Sequence, residues 1–91
     1  MNSASFTLYA LPNNAGRPRL GLTVSRRIGG AVERNRVKRV LREVFRRNRC
    51  VLAAPLDLVV VARSGIEQRS LAELSQEFVR RCKDLARRLD G

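Results

Sequence analysis

The chain has 91 residues, 19 of them Lys or Arg against 8 Asp or Glu, for a formal charge of +11, and it contains no histidine. A chain this short buries only about 60 to 65% of the surface its unfolded form exposes, so it holds one small core and no deep substrate pocket besides. With 44% hydrophobic residues it is too apolar for a disordered basic tail; it has no run near the roughly 18 apolar residues of a membrane span and no signal-peptide pattern in MNSASFTLYALPN, which together imply one folded basic domain in the cytoplasm.

Residues 6–11, FTLYAL, are rich in β-formers and alternate, with Phe6, Leu8 and Ala10 on one side and Thr7, Tyr9 and Leu11 on the other. This is the first predicted strand. PNNAGRP at residues 12–18 is a turn cluster that suits a hairpin loop. Residues 19–25 alternate again, Leu20, Leu22 and Val24 inward and Gly21, Thr23 and Ser25 outward, which predicts a second strand antiparallel to the first. RRIGGA then breaks the alternation. Gly29 and Gly30 suit either a strand-to-helix turn or a place for a phosphate to dock, and no G-x-G-x-x-G or Walker pattern accompanies them.

From about Ala31 to Asn48 the period becomes 3.6, with Val37, Val40, Leu41, Val44 and Phe45 forming the stripe of a helix packed on a sheet. Arg34, Lys38, Arg42 and Arg46 step round the adjoining arc, Arg39 extends it, and Arg36 and Arg47 lie toward the far side with Glu43. Residues 50–56 contain Pro55 and read as a connection; LVVVA at 58–62 suits a central strand buried on both faces. Ser70-Leu71-Ala72-Glu73 is a capping box, and Leu71, Leu74, Phe78, Cys82, Leu85 and Leu89 follow as a core-packing stripe to the C-terminus.

Strand, strand, helix, strand, helix gives an α+β sandwich: a small mixed sheet with helices chiefly on one face. The other face stays open and carries Thr7, Tyr9 and Thr23. An exposed tyrosine there suits stacking on an unpaired RNA base, or simply an edge position with its hydroxyl in water.

Catalytic chemistry has little to work with. The eight carboxylates are scattered with no DxD or ExxE pair, and Cys50 and Cys82 are read as core or boundary thiols, far apart and without a histidine to complete a metal site. The charge, in contrast, is concentrated. Residues 26–49 hold nine arginines and one lysine against Glu33 and Glu43, whereas residues 1–25 carry two bases and residues 50–91 carry seven bases against six acids. Such a segment repels itself unless a polyanion lies nearby, so it is the candidate binding site, Arg26 and Arg27 included.

GLTVSRRIGGAVERNRVKRVLREVF at residues 21–45 resembles the signature region of the bacterial ribonuclease P protein subunit. Arg34-Asn35-Arg36 is similar to that family's RNR motif, followed by Val37, Lys38, Arg39, two apolar residues and Arg42; the likeness extends through FTLYALPN and DLVVVARSG. The resemblance implies a left-handed crossover between the parallel strands flanking the RNR helix, as in a ribosomal-protein domain. It also implies a non-catalytic protein partner of a ribozyme that removes the 5′ leader of precursor tRNA, the RNA holding the reacting Mg²⁺, with no further protein partner required. By position, Arg34, Asn35, Arg36, Lys38, Arg39, Arg42 and Arg46, with Arg26 and Arg27, would face the catalytic RNA, and Tyr9 and Thr23 the leader. Family members usually begin with a basic helix bearing a phenylalanine pair. Only Met1 to Ser5 precede Phe6, so part of the leader cleft is expected to be missing and apolar surface exposed beside it. A general structured-RNA-binding module shares the charge and the sandwich; a protein-only nuclease would need the clustered carboxylates or histidine this chain lacks.

Overall fold

In the computed structural model, which describes residues 4–14, 16–48 and 56–90, strand β1 (Phe6–Pro12) and strand β2 (Arg19–Thr23) form where the alternation predicts them. They do not form a hairpin. Strand β3 (Leu56–Ala62) lies between them, antiparallel to β1 and parallel to β2. The most apolar strand takes the position with two neighbours, where its peptide groups are paired on both sides and its side chains best shielded. The stretch 13–18 permits this. Skipping one strand means crossing about 10 Å, and six residues reach roughly 20 Å, whereas a two-residue turn could not avoid direct pairing.

β3 also departs from its expected burial on both faces. Leu56, Leu58, Val60 and Ala62 are buried, but Asp57, Val59 and Val61 are only half-buried, so the strand has a core side and an open side. A charged residue in second position already contradicts a strand sealed on both sides. Asp57 stays charged because Arg19 grips it from β2, through Nε to Oδ1 at 2.7 Å and Nη2 to Oδ2 at 2.9 Å. Asn13 Nδ2 adds a third hydrogen bond at 2.9 Å. The Arg19 hydrogen bonds, ahead of that from Asn13, hold the Asp57 carboxyl below its ordinary range.

Helix α1 (Ala31–Arg47) follows a 3₁₀ turn at Arg26–Ile28 that the alternation did not foretell, and it connects β2 to its parallel neighbour β3. Gly29 fits the junction because its φ of +151° is unfavourable for other residues; the Glu33 carboxylate, at the end of an exposed side chain, folds back into the space beside it at the helix start. Negative charge in a first helical turn complements the helix dipole. Helix α2 (Leu71–Asp90) begins with the predicted capping box, reciprocal as the pattern requires: Glu73 N–H donates to Ser70 Oγ and Ser70 N–H to Glu73 Oε1, each at 3.1 Å. A second 3₁₀ turn, Ile66–Gln68, precedes it.

Both helices lie on one sheet face and share a core with it. Val37, Leu41 and Val44 from α1, and Leu74, Phe78 and Cys82 from α2, are buried with Phe6, Leu8, Leu58 and Val60, while Ile28 and Ile66 plug in from the 3₁₀ turns. Phe45 meets Phe78 edge to face, centroids 6.3 Å apart at 79°, where the helices touch. Burial pushes the Cys82 thiol up to about 12, consistent with its predicted core role. Cys50 and the connection at 50–55, like the Leu89 side chain, lie outside the described residues. Ser5 ties the entry of β1 to α2: its N–H and Oγ donate to the two Glu77 carboxylate oxygens at 3.2 and 2.7 Å, and its carbonyl accepts from Arg63 N–H at the end of β3.

Candidate nucleic-acid interface

The basic segment becomes one helix with a division that counting charges misses. Glu43 sits three and four residues before Arg46 and Arg47 and takes both, accepting from Arg46 Nε at 3.0 Å and Arg47 Nε at 2.7 Å. Those hydrogen bonds, Arg46 first, hold the Glu43 carboxyl down to about 2, so it remains charged at neutral pH. Both guanidiniums of the last turn are thereby engaged, and one of their two charges is offset. Among the described residues, Arg34, Arg36, Lys38, Arg39 and Arg42 have no ion pair.

Arg36, Arg39 and Arg42 are exposed, together with Asn35, and Lys38 is half-buried beside the edge of the sheet. Asn35, Arg39, Arg42, Glu43 and Arg46 border a surface groove of about 410 Å³ along the helix. Arg34 is half-buried, and its Nε is shielded from solvent with no hydrogen-bond partner in the structure. The two exposed arginines of the 3₁₀ turn, Arg26 and Arg27, extend the cationic surface past the start of α1. A planar guanidinium without a carboxylate partner is a forked donor suited to phosphate oxygens. The structure therefore gathers the predicted basic residues along one helix and its approach, with Arg46 set apart by its pairing to Glu43.

The open sheet face is a second surface, separated from the helices by the sheet itself. The strand register places three rows across it: Thr7, Val61 and Thr23; Tyr9, Val59 and Gly21; Leu11, Asp57 and Arg19. Tyr9 is 55% and Leu11 62% exposed, making these the large apolar side chains that stand free on this face. Tyr9 and Thr23 share the face, as expected, but sit in neighbouring rows with β3 between them, about 12 Å apart by strand geometry. Gly21 leaves a depression of about 300 Å³ beside Val59, closed at one end by the Arg19–Asp57 pair. Val59 and Val61 went unnoticed in the sequence because β3 was read as sealed, with Asp57 the one clue to an open side; Leu11 was read onto the same side of β1 as Thr7 and Tyr9 but was not counted in the open face.

Among the described residues no group of three His, Cys, Asp or Glu is arranged to hold a metal ion. Several carboxylates are occupied in holding the fold: Glu77 by Ser5, Glu73 by Ser70 and Arg69, Asp57 by Arg19, Asp84 by Arg81.

The described residues form a basic sandwich with one sheet face bare and one helix lined with bases that have no ion pair. The family model Ribonuclease P matches residues 1–86, and the chain belongs to that family, whose members are protein subunits of ribonuclease P. Solved structures agree. The ribonuclease P protein of Thermotoga maritima is 28% identical, with a TM-score of 0.83 over 92% of this chain and 80% of that one. The same protein in complex with 1-(4-fluorophenyl)-2-thiourea is similar at 29% identity and a TM-score of 0.82, over 91% and 81%. The Staphylococcus aureus ribonuclease P protein is 26% identical, with a TM-score of 0.78 over 94% and 78%.

Proposed function

We propose that this chain binds the catalytic RNA of ribonuclease P through α1 and holds the single-stranded leader of precursor tRNA on the open sheet face, helping the RNA cut the phosphodiester that joins leader to tRNA. The observation that carries the first half is the row of bases from Arg34 to Arg42 without ion pairs, in a family whose partner is an RNA. Fixed cations offset repulsion among phosphates crowded near the ribozyme core, a task otherwise left to divalent ions, so the protein lowers the Mg²⁺ the assembly needs. The reacting Mg²⁺ belongs to the RNA in this reading; this chain's residues bind and orient. The assembly works where its RNA is made, in the cytoplasm.

Salt dependence and RNA choice test the binding role together. If six to ten phosphates are contacted, affinity for ribonuclease P RNA falls about 10³- to 10⁵-fold between 50 and 200 mM salt on duplex-like RNA, and less on single strands. Filter binding in that range is expected to show this slope together with a preference over an unrelated structured RNA of equal length. The slope without the preference would make the chain a general RNA-binding module.

Tyr9 tests the leader role. Stacking on an aromatic ring contributes about 1 to 3 kcal/mol per base, and a half-exposed ring belongs at the lower end, so Tyr9→Ala is expected to weaken precursor tRNA roughly 5-fold in the assembled holoenzyme. Mature tRNA, which has no leader, is expected to bind as before. Equal losses for the two would remove Tyr9 from the leader site.

A further inference from the structure

The edge strand and the RNR helix enclose a groove that borders the proposed RNA surface at Lys38 and Arg42 and whose apolar lining neither proposed surface uses. Leu20, Leu22, Lys38, Arg42 and Phe45 line about 310 Å³ between β2 and the flank of α1. Leu20 and Leu22 are on the core side of β2, yet half-buried because no strand lies beyond them. The Phe45 ring is half-buried too, and its position is set from behind by the edge-to-face contact with buried Phe78.

We infer that this groove receives one unstacked base of the RNA, its flanking phosphates held by Lys38 and Arg42; the inference rests on α1 being the RNA-facing helix. Charge complementarity selects a polyanion. Lys38 and Arg42 have no ion pair, and they are one turn apart, about 6 Å at Cβ, so both reach the backbone of a single nucleotide. The size selects an extruded base, since the space is at the lower limit of small-ligand pockets and admits no duplex. Its lining supplies the rest: an aromatic ring and two leucines for the flat apolar faces of a base. β2 pairs only with β3, so outward peptide N–H and C=O groups along the rim remain for the base edge.

Methyl and aromatic NMR of the full chain tests this, with a single-stranded RNA tetranucleotide, AMP and ribose 5-phosphate as probes. The tetranucleotide and AMP are expected to shift the Leu20 and Leu22 methyls upfield by ring current and to move the Phe45 ring, while ribose 5-phosphate leaves all three nearly unmoved. Equal shifts with ribose 5-phosphate would reduce the groove to a phosphate site and overturn the base assignment. Shifts at the Arg36 and Arg39 amides with Leu20, Leu22 and Phe45 unmoved would empty the groove and leave the helix as the RNA surface. No response at either place would overturn the groove and the helix reading together. Movement of these methyls by an acidic leucine-rich peptide, with the tetranucleotide silent, would give the groove to a protein instead.

Discussion

Replacing Arg36, Arg39 and Arg42 together by alanine is expected to weaken binding to ribonuclease P RNA roughly 10³-fold at low salt, at about 1.5 kcal/mol for each charge-assisted contact. The slope of log affinity against log salt becomes shallower by about 2 to 3 as three phosphate contacts are lost. All three side chains are exposed and free of ion pairs, so the helix loses no partner, and alanine is a better helix former than arginine. Thermal unfolding is therefore expected to stay near that of the parent, since surface changes of this kind are usually within about 0.5 kcal/mol each. Arg46→Ala with Arg47→Ala makes the matched control. These bases already share Glu43, and their loss costs less affinity for each charge removed, two charges against three. Equal losses per charge removed from the two variants would mean that RNA reads total charge and not the unpaired bases.

Phe78→Ala is expected to cost about 3 to 5 kcal/mol of stability, as truncating a buried aromatic commonly does. That is a large part of the roughly 5 to 15 kcal/mol that holds a small domain together. Phe78 is 3% exposed and supports three things at once: the core against the sheet, the Phe45 ring at the contact of the helices, and the seating of α2, from which Glu77 holds Ser5. Urea unfolding of the variant reads the loss directly, and Phe78→Leu, which keeps most of the volume, is expected to lose much less. A loss under about 1 kcal/mol for the alanine variant would show that α2 is not seated on the core as described.

The helices could be read from the sequence almost completely. The Val37, Leu41, Val44 stripe, the turn at Gly29 and Gly30 and the Ser70–Glu73 box each depend on local spacing, and local spacing is written in the chain. The order of strands could not be read this way. Alternation in β1 and β2 says which side of each strand faces the core, not which strand lies beside it, and the stretch at 13–18 is long enough for either arrangement. The inward face of the sheet therefore came out right while its neighbours came out wrong. On α1, the spacing of Glu43 to Arg46 and Arg47 was available, yet a count of bases treats all as equal; only the geometry separates paired from unpaired ones. Composition and period lead as far as a polyanion. The RNR pattern adds the family, and with it the roles proposed for Arg34 through Arg42 and for Tyr9.

The central claim is that the chain assists an RNA that cuts precursor tRNA. Single-turnover cleavage by the catalytic RNA at low, near-physiological Mg²⁺, with and without the 91-residue chain, tests it most directly. The account predicts faster cleavage with the chain present, the gain shrinking as Mg²⁺ is raised and the added cations become redundant. Equal rates with and without the chain at low Mg²⁺, with the chain demonstrably bound to the RNA, would contradict it.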